Sequence, residues 1–274
     1  MSAPPPRHGH ARRVVDVWAH NQEEELARIR DLTRGFPFAA VAVRHDGHHD
    51  PAASYPNTLE GSYAAVRSGA ERAASAQVAL ALATRDGELA VGGRVWRFHL
   101  GSGGAGGLAD PRRVCAGIRA HARAVMTRGA LVTWDGAGDV PYLVRHAVAG
   151  GGSLPRRRDE FLRMCGACFP ALYDLRVLAE WTTPSGHPPP LAAALAGGGS
   201  GALFRAFLAR AQDAWFCEVS TAYNAFLYGL GAADTEDLVY YKVEKAKREE
   251  RDRRFREFML QAHGEDYVRN LRFL

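Results

Sequence analysis

FAAVAVRHDG, residues 38–47, decides how this chain is read. Ala39 to Val43 are five small or branched apolar residues in a row, the composition of a strand buried on both faces, and they run straight into Arg44, His45, Asp46 and Gly47. A strand end that emerges from a sheet holds its side chains rigidly, and the loop after it exposes them, so catalytic groups are common there. A core strand with a charged tip is therefore the place to look for chemistry, or for the remains of it.

The surrounding sequence supplies an α/β setting. Upstream, Leu26, Ile29 and Leu32 recur at helical spacing, with Asn21 at the N-cap position, acids in the first turn and Gly35 at the end. Phe36 to Arg44 is then read as the first strand. QVALALA (77–83) and VGGRVWRFHL (91–100) flank an Asp86-Gly87 turn and predict an antiparallel meander, with Val95, Arg97 and His99 facing opposite to Trp96 and Phe98. Asp110-Pro111 opens a helix that Gly129 closes, ALVTW (130–134) is a short buried strand, and Asp139–Val148 and RDEFLRMCGACF (158–169) are helices. ALYDLRVLAEW is a strand leading into a helix, and LFRAFLARAQDAWF is a further helix. Strands alternating with helices predict one α/β domain with a mixed sheet.

Composition limits the alternatives. The chain has 274 residues, 47% of them hydrophobic, enough for a core of its own. Net charge is +5 and the pI about 9.2, compatible with nucleic acid without requiring it. No run reaches the roughly 18 apolar residues a membrane span needs, and MSAPPPRHGHARR at the start lacks the apolar centre of a signal peptide. Four cysteines are too few for a disulfide framework in this length. Cys165 and Cys168 form a single CxxC with no second pair, so they are read as small buried residues of one helix.

The order of VWAHNQEEELARIRDL, FAAVAVRHDG, QVALALATRDGELAVGGRVWRFHL, RAVMTRGALVTWDGAGDVPYL, FPALYDLRVLAEW and YNAFLYGLG resembles the CCR-associated-factor (CAF) deadenylase family over about 215 residues. The resemblance implies an RNase H-like fold of the DEDD exonuclease superfamily: an α/β mixed sheet flanked by helices. It implies a poly(A)-shortening nuclease subunit of the CCR-NOT complex, cytoplasmic and nuclear, with the scaffold subunit and an associated nuclease as partners, poly(A) RNA as substrate and no membrane. Its domain is expected over 14–232, between a disordered basic tail (1–13) and a charged helical extension (233–274).

Family chemistry needs two divalent ions about 4 Å apart, held by carboxylates because magnesium is a hard cation. Carried onto this sequence, the strand acids fall on Ala42 and Arg44, the third acid on Asp139, the last acid on Gly201 and the general-base histidine on Ala196. Only Asp139 is a carboxylate. Ala42 offers no lone pair, and Arg44 places a fixed positive charge where a cation belongs. The expectation is a protein with impaired or absent catalysis, no cofactor, and magnesium bound weakly by Asp139 if activity survives. Two alternatives stand beside it: an active magnesium-dependent 3′-to-5′ exoribonuclease, and a stand-alone RNA- or protein-binding module.

Other residues near these motifs are weighed on their own chemistry. An Arg44–Asp139 ion pair would fill the emptied site. His45, Asp46, His48, His49 and Asp50 form a turn-rich solvated loop that has metal-ligating side chains, Asp135 starts a helix, Asp174 is structural, and Trp18 is a packing anchor. RRR at 156–158 is a second basic cluster beside a helix start, read equally as a contact surface or as ordinary surface. The alternating charges of 242–258 read as a solvated helix with pairs such as Glu244–Arg248, or as an RNA-contacting arm.

Overall fold

The computed structural model describes residues 13–47, 59–101, 107–177 and 224–231, together with six positions between 253 and 261. Ala196, Gly201, His48, His49, Asp50, the helix expected over LFRAFLARAQDAWF and the Glu244–Arg248 pair lie outside the described residues. Six strands form one mixed sheet: β1 (Arg13–Val17), β2 (Phe38–His45), β3 (Ser75–Ala83), β4 (Arg94–Gly101), β5 (Ala130–Thr133) and β6 (Leu172–Asp174), in the order β1-β4-β3-β2-β5-β6. β3 and β4 form the expected antiparallel pair, which β2 extends on the other side of β3; β1 joins β4, β5 joins β2 and β6 joins β5, all in parallel.

Five helices cover one face of this sheet: α1 (Gln22–Leu32), α2 (Leu59–Arg72), α4 (Pro111–Ala124), α5 (Gly136–Ala147) and α6 (Arg158–Cys168); α3 (Ala90–Gly93) is a single turn before β4. Alternation along each strand sorts the two faces. Ala39, Val41 and Val43 of β2 join Val78, Leu80, Trp96 and Phe98 in the main core under the helices. Ala40, Ala81, Val95, Ala130 and Val132 form a smaller cluster on the opposite face, which then opens, leaving Ala42, Arg44, Gln77 and Arg97 exposed.

Several local expectations are corrected. Phe36 does not begin the first strand: β1 precedes it, and β2 starts at Phe38. β1 lacks a clear alternation in sequence and is held instead by Asp16, which takes a bidentate bond from Arg97 of β4 (2.6 and 2.9 Å). Asn21 does not cap α1 through its side chain; its amide closes the preceding turn, accepting from Trp18 N–H and donating to Asp16 C=O. α2 fills a stretch whose Gly and Ser content hid its apolar stripe of Tyr63, Val66 and Ala70. α4 begins as expected, with Asp110 accepting from Arg112 N–H and Pro111 at its first position, but ends at Ala124, before Gly129. α5 starts three residues earlier than its periodicity suggests, at Gly136. Cys165 and Cys168 are buried on α6, while Arg158, the last of the arginine triplet, is buried rather than surface.

A buried acid ties the first helix to the sheet. Glu25 of α1 accepts from Trp96 Nε1 (2.8 Å) and lies 3.8 Å from the Arg94 guanidinium and 2.8 Å from that of Arg28. Removing one partner of such a set leaves buried donors unsatisfied. Glu25→Ala is expected to lower the unfolding free energy by about 3 kcal/mol, read from denaturant midpoints at constant slope; a change under 0.5 kcal/mol would refute it.

Candidate functional site at the ends of β2, β5 and β6

β5 pairs with β2 only from Phe38↔Ala130 to Ala40↔Val132, and then stops at Thr133. β2 runs on to His45, so the Val43 N–H on that edge has no strand to bond. The carboxylate of Asp139, in the first turn of α5, fills the gap: Oδ1 accepts from Val43 N–H (2.6 Å) and Oδ2 accepts from the Thr133 hydroxyl. Asp139 is 3% exposed. Burial pushes its pKa well above the ordinary value, against the two donors that favour its charged form.

Asp174 does the same work one strand further out. It is 1% exposed and accepts three main-chain N–H groups: Gly136 (3.0 Å) and Tyr228 (2.9 Å) at Oδ2, Arg176 (3.0 Å) at Oδ1. It thereby joins the start of α5 and the returning segment 224–231 to the end of β6. Burial raises its pKa to about 7, opposed by those amides. Asp135 occupies the N-cap position of α5, where its carbonyl accepts from Gly138 and Asp139 N–H. The segment 224–231 closes the outer edge of β6, Ala225 N–H bonding Leu172 C=O and Asn224 Oδ1 accepting from Leu172 N–H.

Ala42 and Arg44 stand on the exposed face, opposite in strand alternation to Val43. Their cross-strand partners are Ala79 and Gln77, and beyond those Arg97 and His99. His99 Nε2 donates to Asp16 Oδ1 (2.7 Å), and the ring stacks on Trp18, centroids 3.9 Å apart at 3°. Trp18 is thus an anchor for the turn after β1. The Arg44–Asp139 ion pair does not form: Arg44 is exposed, and both oxygens of the buried Asp139 are taken by other donors. Asp46 turns to cap the start of β3, accepting from Ala74 N–H and the Ser75 hydroxyl, and His45 lies against Tyr142. The exit of β2 crosses α2 so closely that a Cβ on Gly47 would sit 2.1 Å from Gly69 C=O, which only two glycines permit.

This donor set does not suit a two-ion magnesium centre. The one carboxylate is already committed to an amide and a hydroxyl, and the exposed side chains across β2 from it are a methyl group and a guanidinium, whereas hard cations take several free oxygens. Among the described residues, no three His, Cys, Asp or Glu side chains gather as a metal site. The positions of Ala196 and Gly201 fall outside them.

The arrangement matches solved structures. The fold is the RNase H-like fold of the Pop2/CAF1 ribonuclease domain. S. pombe Pop2p, in a form with Mg2+ and Mn2+ bound, superposes with a TM-score of 0.63 over 79% of this chain and 99% of that one, at 18% identity. A yeast structure of the NOT1 MIF4G domain co-crystallised with CAF1 gives 0.59, covering 83% and 100% at 17% identity. The ribonuclease domain of yeast Pop2 gives 0.55 over 77% and 89%, at 17% identity. No family model matches the chain. Among the described residues, no helix is long and apolar enough to cross a membrane.

Sequence reasoning singled out Asp139 and Asp174 but missed Thr133 and Val43 as the partners of Asp139; a threonine ending an apolar strand six residues before an aspartate was the available signal. Asparagine can mimic both bonds of Asp139, its carbonyl accepting from Val43 and its amide donating to the Thr133 oxygen. Because the Asp139 pKa is raised in the folded state, its ionisation costs stability as pH climbs above the unfolded value near 4. Asp139→Asn is therefore expected to be about 1 kcal/mol more stable than the parent at pH 8, with the gain shrinking toward pH 4. Denaturant titrations at both pH values check this, and a variant destabilised at pH 8 would overturn it.

Proposed function

We propose that this chain is a CAF-type relative of the poly(A) deadenylases that keeps the nuclease fold without its metal-dependent reaction. It acts through contacts with a CCR-NOT-like scaffold or with poly(A) RNA, in the nucleus and cytoplasm. The nuclease-like domain is taken as residues 14–232, and 233–274 as a charged extension.

One observation carries this reading: at the tip of β2, the two exposed positions where the resemblance puts metal-binding acids are Ala42 and Arg44. A guanidinium a few ångströms from a divalent ion repels it by several kcal/mol even at an effective dielectric of about 20. The remaining acid, Asp139, serves the backbone instead. Shared fold with a CAF1 that was co-crystallised with the NOT1 MIF4G domain supports the choice of scaffold partner.

The test has two arms. The purified protein is expected to leave a fluorescent poly(A) oligonucleotide intact in millimolar magnesium or manganese, with no metal-binding heat by calorimetry, and to co-purify with a NOT1 MIF4G domain. Shortening from the 3′ end that Asp139→Asn abolishes would instead establish an active magnesium-dependent exoribonuclease. Failure to bind the scaffold would leave a stand-alone binding module and sink the proposed assembly role.

A further inference from the structure

α4 is the most one-sided element of the molecule in charge. Its sequence, PRRVCAGIRAHARA, holds four arginines and no acid. Arg113 is neutralised by Glu23 and Asp110. Arg112, Arg119 and Arg123 are not: among the described residues, none of them meets a carboxylate. Their spacing, seven and then four residues, keeps all three along one side of the helix, away from the buried stripe of Val114, Cys115, Ile118 and Ala122. Arg119 and Arg123 spend one N–H each on the C=O groups of Ala147 (3.3 Å) and Ala167 (2.8 Å), which fixes the guanidinium groups in place; the Nε of half-buried Arg119 is enclosed, and the spare donors are the remaining terminal N–H groups.

At the N-terminal end of this row a fourth arginine joins from α5. Arg145 donates to the C=O groups of Ala70, Gly151 and Gly152, and among the described residues it too meets no carboxylate. His146 lies beside Arg112 and Arg145, 8% exposed, and neither ring nitrogen has a hydrogen-bond partner. Burial and the two cations hold its pKa down, to about 4, so it adds no charge. The local acid is Asp110, whose carboxylate caps α4 and lies 3.8 Å from Arg113. Four arginines that no described carboxylate neutralises stand on one face of a chain whose whole net charge is +5.

We propose that this α4–α5 face is a second binding surface, which takes the phosphate backbone of single-stranded nucleic acid. From Arg112 to Arg123 the row spans about 16 Å of helix. Ordered guanidinium groups with spare donors fit phosphate oxygens better than ammonium groups do. No aromatic side chain on the outer side of α4 offers a stacking platform, so the surface reads backbone and not sequence. It lies on the helical face of the sheet, opposite to Ala42 and Arg44, and does not depend on the reading given to those positions.

Fluorescence anisotropy of labelled oligo(A) and oligo(U) RNA, in EDTA with the full chain, tests it. Three to four neutralised phosphates give a slope of log K against log salt of about −2 to −3, or roughly a 15- to 60-fold loss between 50 and 200 mM salt. Both oligonucleotides are expected to bind alike. The double variant Arg112→Gln, Arg123→Gln is expected to lower the slope by about 1.4, while Arg112→Lys, Arg123→Lys keeps it. Arg112→Glu alone, at an exposed position away from the core, serves if the double variant melts early. An unchanged slope in the glutamine variants overturns the proposal, as does loss of binding through Arg44→Ala alone, which would move the contact to the sheet face. Equal binding of poly-glutamate would make the surface a dock for acidic protein and overturn the nucleic-acid assignment. Scaffold capture is scored separately, so each proposal fails on its own result.

Discussion

A strand longer than its neighbour leaves amides with nowhere to go, and the far end of this sheet is organised around that constraint. Val43 is the case in point. Beyond the last β2–β5 pair its N–H would be buried and unpaired, a loss of the order of 1–3 kcal/mol, unless a side chain supplies the acceptor. Asp139 supplies it and binds the Thr133 hydroxyl with its other oxygen, so the end of β5, the middle of β2 and the first turn of α5 meet on one carboxylate. Asp174 repeats the device for β6, α5 and the segment at 224–231. α5 is thereby set against the sheet by two acids, one at each side of its start.

The same geometry separates support from chemistry. A metal ligand must offer lone pairs to open space, whereas both oxygens of Asp139 point at donors inside the fold. On the other side of β2 the side chains that reach solvent are a methyl group and a guanidinium. The protein retains an RNase H-like scaffold in which the acid that resembles a catalytic one has a use that needs no metal.

The fold was legible in the sequence to the extent that hydrophobic period and order carried it. FAAVAVRH, QVALALA and RVWRFHL declare themselves as strands through composition and alternation, and their meander follows from proximity. β1 escaped because its placement depends on a distant arginine, Arg97, rather than on any local signal. α2 escaped because Gly61, Ser62, Ser68 and Gly69 dilute its period, although Gly69 is there to let Gly47 pass. At the site, residue identity showed a methyl group and a guanidinium at positions 42 and 44. It could not show where the Asp139 carboxylate points, since an aspartate at a helix start can turn toward solvent, toward a metal or into the strand ends. The Arg44–Asp139 pairing failed for that reason: the two residues leave β2 and α5 toward opposite faces.

The arginines raise a different matter. Arg119, Arg123, Arg145 and Arg158 close the ends of helices and loops by donating to the main-chain carbonyls of Ala147, Ala167, Ala70 and Leu230. Neither partner in such a joint titrates between the acid and alkaline limits of protein stability, because a guanidinium stays charged and a carbonyl has no proton to lose or gain. These carbonyl joints are consequently indifferent to acidity, while the strand ends rest on carboxylates that are not. In mild alkali the molecule should loosen first where Asp139 and Asp174 sit, with its helical layer still clamped together.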